Sequence, residues 1–267
     1  MRSVCLVALL KAAASAAVPR RLVVGAAAPA ALGGICGAAA SAAPPAALGG
    51  IGGGVNLAAA PRPGGPGDTI FPASLLGLWE CERRVTSVDG DSGQARVVWK
   101  ALGGGEDAAF AAGARETYAT RFVAPPDRVA AEYDFEGRRY AGVVLDRGFE
   151  LEARGRGRAV DWDPRTPGAI AYDRAVIAVV ERTSSAPTAD GFGNSNELLR
   201  IQTGPVVRAA RVQRRFRRSF SDDGATRVVE GIELVKTYRV LDDVAGVEFP
   251  TSTTKSSLRL TRPQPAA

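Results

Sequence analysis

Histidine is absent from all 267 residues. That removes the commonest general base, the Ser-His-Asp and Cys-His nucleophile pairs, and every imidazole-ligated metal site. Carboxylates, tyrosines and arginines remain. Asp161-Trp162-Asp163 would place two carboxylates on one side of an extended segment with the indole on the other, as a general acid/base pair requires. Pro164 directly after it gives the simpler reading of a solvated turn. Tyr172-Asp173-Arg174, behind Pro167-Gly168, reads as a local ion pair after a turn. Gly191-Phe192-Gly193-Asn194-Ser195-Asn196 lacks the strand–loop–helix setting and the basic residue of a phosphate cradle, and reads as a loop at a barrel mouth. Cys5 and Cys36 lie in the N-terminal region, so Cys81 stands alone: it forms no internal disulfide or thiolate cluster and reads as a core thiol. These residues assemble no catalytic set and no metal set, and they name no cofactor.

The densest basic run is Arg211-Val212-Gln213-Arg214-Arg215-Phe216-Arg217-Arg218-Ser219-Phe220. Arginines interleaved with aromatics can stack bases or sit on anionic lipid headgroups. The alternative is a strand with Val212, Phe216 and Phe220 turned inward. An Asp223-Gly224 hairpin turn would then set Arg217 opposite Glu230 and Arg214 opposite Glu233. Charge favours the alternative. The formal net charge is +6, but Arg2, Lys11, Arg20 and Arg21 fall in residues 1–42, which hold no acid; without them 30 basic residues face 28 acidic ones. Nucleic acid is not an expected partner of a nearly neutral mature chain. Arg211, Arg214, Arg215, Arg217 and Arg218 are still the place where an electrostatic partner would dock.

The N-terminal region reads as an address. Arg2 precedes the apolar run Val4–Leu10 and an Ala14-Ser15-Ala16 cleavage pattern; Arg20-Arg21, a mild Ala/Gly-rich stretch and Ala40-Ser41-Ala42 then form a twin-arginine export pattern. Residues 22–43 are too weakly apolar, and broken by Pro29, to span a bilayer. Tandem signals imply two membrane crossings, which suits the thylakoid lumen of a plastid, with bacterial periplasm as the alternative. Residues 43–67, rich in Pro, Gly and Ala, read as a flexible linker.

The elements that must position any site begin at residue 68 and run to 262, with 263–267 a tail. Phe71–Ser87 opens this domain with one short helical turn at Ala73–Leu76 and a strand from Leu78 to Val88. Further strands are expected at Ala95–Lys100, Arg115–Val123, Arg128–Phe135, Arg138–Leu145, Phe149–Ala153, Arg158–Trp162, Leu198–Thr203, Val206–Phe220, Ala225–Leu241 and Thr253–Thr261. Ala169–Val180 is a buried strand or a helix, which periodicity does not separate. Turn signals every 8–12 residues and little helix predict an all-β antiparallel sandwich or barrel of roughly 8–10 strands, the barrel being the form that closes its edges.

Gly77-Leu78-Trp79 at the mouth of the first strand resembles the Gly-x-Trp of the calycin (lipocalin-like) group. That resemblance implies that Trp79 closes one barrel end beneath an arginine of the last strand, Arg259 or Arg262, through a cation–π contact. A longer stretch, Glu230–Asp242 with Pro250–Ser256 and Leu258–Arg262, resembles an uncharacterised family of cyanobacterial and chloroplast thylakoid-lumen proteins, which Phe71–Trp79 and Tyr172–Ala175 also suit. This resemblance implies compartment and fold; it carries no catalytic residue. The expectation is a non-enzymatic monomer of the thylakoid lumen, peripheral to the membrane at most. It would hold a small apolar ligand such as a pigment, quinone or lipid, or serve as a ligand-free accessory factor for photosynthetic membrane complexes. An enzyme of isomerase or epoxide-opening type ranks behind both.

Overall fold

Apolar and polar residues alternate along segment after segment, and each such segment is a strand with one buried face. The computed structural model describes residues 54–57, 67–105, 110–126, 132–135, 138–155, 158, 160–185, 191–220, 227–241 and 244–263. In chain order the elements are β1 (Gly54–Asn56), β2 (Phe71–Pro72), a 3-10 turn (Ala73–Leu75), β3 (Gly77–Gly90), helix α1 (Ser92–Ala101), β4 (Arg115–Val123), β5 (Glu132–Phe135), β6 (Arg138–Leu145) and helix α2 (Arg147–Arg154). β7 (Val160–Trp162), β8 (Ala169–Tyr172), β9 (Ala175–Ser185), β10 (Gly191–Thr203), β11 (Val206–Phe220), β12 (Arg227–Tyr238), β13 (Val240–Leu241), β14 (Val244–Gly246) and β15 (Ser252–Thr261) follow.

Twelve strands form one curled antiparallel sheet, a half-barrel, in the order β2-β6-β4-β3-β15-β12-β11-β10-β9-β8-β7 with β5 on β6. The all-β class expected from the sequence is the one observed, with more strands than the roughly 8–10 expected. The free ends of this path are short: β2 has two residues, one of them Pro72, and β7 has three. On the concave face Trp79, Cys81, Tyr118, Phe122, Phe216, Leu258 and Leu260 form one core with Phe71. A second core joins Val98 and Leu151 of the helices to Ile170, Ile177, Val179, Leu199 and Val212. The convex face carries a small separate sheet, β1-β14-β13, packed over Leu198, Ala209 and Tyr238. Its first strand falls within residues 43–67, and Leu57 beside it is buried.

Two segments expected as strands are helices. Ala95–Lys100 lies within α1, where the Asp91 carboxylate accepts a hydrogen bond from the Gln94 backbone N–H at 3.0 Å. Phe149–Ala153 lies within α2, where Asp146 accepts from the Phe149 N–H at 3.0 Å. Each aspartate supplies the acceptor that a first helical turn lacks, and that tips a short segment into a helix. The ambiguous run at Ala169–Val180 is a hairpin of β8 and β9. The β11–β12 register is the one expected, with Arg217 opposite Glu230 and Arg214 opposite Glu233; the Asp223-Gly224 turn lies outside the described residues.

Phe216 stands directly opposite Gly231, and a Cβ there would lie 2.7 Å from its ring and 3.1 Å from the Arg215 carbonyl oxygen. The absent side chain is the space the ring fills. Gly231→Ala is expected to cost about 1–3 kcal/mol through overpacking, read as a lower urea midpoint with an unchanged far-ultraviolet spectrum.

Candidate functional site

The half-barrel interior is crossed by charge. Arg83 is the largest fully buried side chain among the described residues, and Glu233 is buried with it. Arg83 on β3 reaches Glu233 on β12 at 2.5 Å, passing the intervening strand β15 where that strand carries the small Ser256. Glu233 pairs on its other side with Arg214 of β11 at 2.7 Å, and Arg214 with Glu150 of α2 at 2.8 Å. In the other direction Arg83 lies 3.6 Å from Glu116 of β4, and Glu116 lies 3.4 Å from Arg154 of α2. The sequence Arg154–Glu116–Arg83–Glu233–Arg214–Glu150 therefore alternates in sign and is electrically neutral. Its two ends are four residues apart on α2, one helical turn, so the helix itself, with no sixth pair, closes the five pairs into a ring. Trp99 of α1 covers it, with Arg83 at 3.9 Å and Arg154 at 5.7 Å from the indole centroid.

A second cluster closes the seam where the Asp68–Pro72 segment and the start of α2 meet β10. Arg147 donates to both Glu197 oxygens at 2.7 and 2.8 Å and to Asp68 at 2.9 Å. Arg182 donates to Glu197 at 2.7 Å and to the Gly67 carbonyl at 2.8 Å. Between the clusters lies a cavity of about 70 Å³. Apolar Ile170, Ile177, Val179 and Leu199 form one wall; Arg147, Glu150, Arg154, Glu197, Arg214 and Glu233 line the rest. Thr69 Oγ1, Arg147 Nε and Arg154 Nε, all on lining residues, are buried without a hydrogen-bond partner.

The interior groups are held away from neutrality. Burial alone would raise the Glu233 carboxyl, but Arg83 and Arg214 bring it down to about 2. Burial opposes Arg147 and Arg182 in the same way at Glu197, which also ends at about 2. Burial pushes the Cys81 thiol up to about 12, and burial with the neighbouring Cys81 raises the Tyr118 phenol well above its ordinary value. A general base needs a value near the working pH; these four groups are displaced away from it.

Some residues singled out in the sequence come together and others separate. Arg262, not Arg259, lies over Trp79, 4.0 Å from the ring centroid, while the indole N–H donates to the Leu75 carbonyl at 2.7 Å. Gly77, at φ +103, makes room: a Cβ there would sit 3.0 Å from the Arg262 guanidinium. Arg259 faces outward between Glu230 and Glu82 in the strand register. The basic run is divided by strand alternation. Arg214 points inward into the ion-pair ring, Arg218 lies 5.1 Å from the Phe192 ring centroid, and Arg211, Arg215 and Arg217 face out. Phe220, expected inward, is 59% exposed. Asp161 and Asp163 form no facing pair, since β7 ends at Trp162 and Asp163 accepts from the Arg165 N–H in the following turn. Asp173 pairs with Arg158 at 3.6 Å rather than with its neighbour Arg174. The Gly191–Asn196 stretch is the start of β10, with Phe192 in the core, rather than a mouth loop. Sequence reasoning missed Arg83, Glu116, Glu150 and Arg154. The available signal was parity: Arg83 shares a strand face with Trp79, Cys81 and Val85.

Glu233→Gln leaves Arg83 and Arg214 without their shared carboxylate and is expected to cost about 3–5 kcal/mol, as breaking a buried pair does. Glu230→Gln on the outer face should cost less than about 1 kcal/mol; equal losses in chemical denaturation would contradict the difference. The depressed carboxyls at positions 197 and 233 contribute stability that is fully present above the ordinary value of 4.5 and is lost as pH falls toward 2. The thermal midpoint should therefore hold from pH 7 to about 5 and drop steeply below 4.5; a drop already complete by pH 6 would be the wrong sign of coupling.

Residues 63–264 match the family model described as a domain of unknown function, DUF6816. No curated protein and no solved structure matches the chain. The matched span takes in β2 through β15, both helices, the ion-pair ring and the seam. The chain belongs to the DUF6816 family.

Proposed function

We propose that the protein is a non-catalytic accessory factor of the thylakoid lumen that docks by its outer surface onto a photosynthetic membrane complex. One observation carries this reading: the interior is filled by its own ion pairs. The remaining cavity of about 70 Å³ is well below the roughly 300–1,000 Å³ of ordinary ligand pockets and below the ~150 Å³ that admits benzene. A pigment, quinone or lipid does not fit a volume of that size. With so little room inside among the described residues, recognition falls to the convex face, where outward arginines give the chemistry for an acidic partner. The two export-like sequence patterns of residues 1–42 support the compartment, and the depressed carboxyls suit a space whose acidity varies.

The three unpartnered polar atoms beside the cavity favour a second reading, a small neutral molecule presenting acceptor oxygens against the apolar wall. A net anion is disfavoured, because both clusters are already neutral and an added buried charge is costly. Mild purification from thylakoid membranes, followed by native mass spectrometry and native gels, separates the two. The expected result is a ligand-free protein that comigrates with a membrane complex and is released by salt. A stoichiometric bound small molecule on a freely migrating protein would overturn the docking function.

A further inference from the structure

We infer that the outer sheet face holds a binding row for an extended acidic protein segment with the spacing acid-x-apolar-x-acid; this deepens the docking function proposed above and rests on it. The strand register lays two rows of outward side chains across the convex face. One row runs Arg217–Glu230–Arg259–Glu82 over β11, β12, β15 and β3, alternating in sign. Arg217 donates to Glu230 at 2.6 Å within it, so this row compensates itself. Two residues along each strand, the next row runs Arg215–Ile232–Ser257–Arg84. It contains two arginines and no acid. Arg84 and Arg215 meet no carboxylate among the described residues, and both are exposed. Between them Ile232 is 49% exposed, the one large apolar side chain of this row. All four residues line a groove of about 990 Å³, which the compensated row Arg217–Glu230–Arg259–Glu82 lines as well, so that arginines outnumber carboxylates in it four to two.

The spacing selects the occupant. Three interstrand steps of about 4.8 Å put Arg215 and Arg84 roughly 14 Å apart at the backbone. An extended chain rises about 3.3 Å per residue and directs alternate side chains to one side, so residues i and i+4 span about 13 Å with i+2 between them. Acidic side chains at i and i+4 reach the two arginines while an apolar residue at i+2 covers Ile232. The chain's own N-terminal region is not this occupant, since residues 1–67 contain no Asp or Glu.

The test uses the purified full chain and a fluorescent ten-residue peptide containing Glu-Thr-Val-Thr-Glu, followed by anisotropy at low and moderate salt. Binding is expected to weaken at least tenfold with the peptide scrambled to Glu-Glu-Val-Thr-Thr, and at least tenfold again for wild-type peptide on the Arg84→Glu/Arg215→Glu double variant. Arg217→Gln, in the compensated row, should change it less than threefold. Equal binding of the scrambled peptide, or no loss in the double variant with an unchanged spectrum, would overturn the row. So would tighter binding to phosphatidylglycerol vesicles that the peptide fails to displace, which would assign the face to lipid. Comigration of the double variant with membrane complexes would discard this row and leave docking standing; peptide binding without any comigration of the wild type would do the reverse.

Discussion

The ring Arg154–Glu116–Arg83–Glu233–Arg214–Glu150 is the constraint on which the other parts depend. Six charges inside a half-barrel are tolerable only when each meets its opposite, because desolvation costs several kcal/mol per ion. That requirement fixes β3, β4, β11 and β12 in register, since a slip of one residue would turn a charge to the wrong face. It also fixes α2, which must present Glu150 and Arg154 one turn apart to complete the alternation. Asp146 serves both ends of this demand: it caps α2 through one oxygen and binds Arg121 of β4 through the other, at 3.0 Å.

The same alternation explains why the inside and the outside of the sheet differ in kind. Along β11 the even-numbered Val212, Arg214 and Phe216 enter the interior, while Arg211, Arg215 and Arg217 face away. One basic run thus supplies a structural ion pair and a surface charge from neighbouring residues. The interior consumes its arginines in pairing. On the outer face of the same sheet, Arg84 and Arg215 meet no carboxylate among the described residues.

Much of this was legible in the sequence, and the failures have definite physical causes. β4, β6 and β11 read correctly because β-branched and aromatic residues alternate between turn signals. The Arg217–Glu230 and Arg214–Glu233 pairings followed from counting back from one Asp-Gly pair. Helix α2 was illegible because its buried face is Glu150, Leu151 and Arg154; two of the three look like solvent residues, so apolar periodicity vanishes where the chain buries charge. Helix α1 carried its signal in Ala95, Val98 and Trp99, spaced i, i+3, i+4, but the segment is short enough to mimic a strand. Arg83 was hidden for the same reason as Glu150. A charged residue on a core face registers as an error in the pattern until its partners, distant in sequence, are known.

Both ends of the strand path close off the possibility of growth. β2 offers two residues, and Pro72 has no N–H to give; β7 offers three and is followed within two positions by Pro164. A neighbouring molecule that tried to extend the sheet from either margin would find almost no ladder to join. At these two margins the sheet therefore presents few free backbone groups on which a neighbouring chain could template.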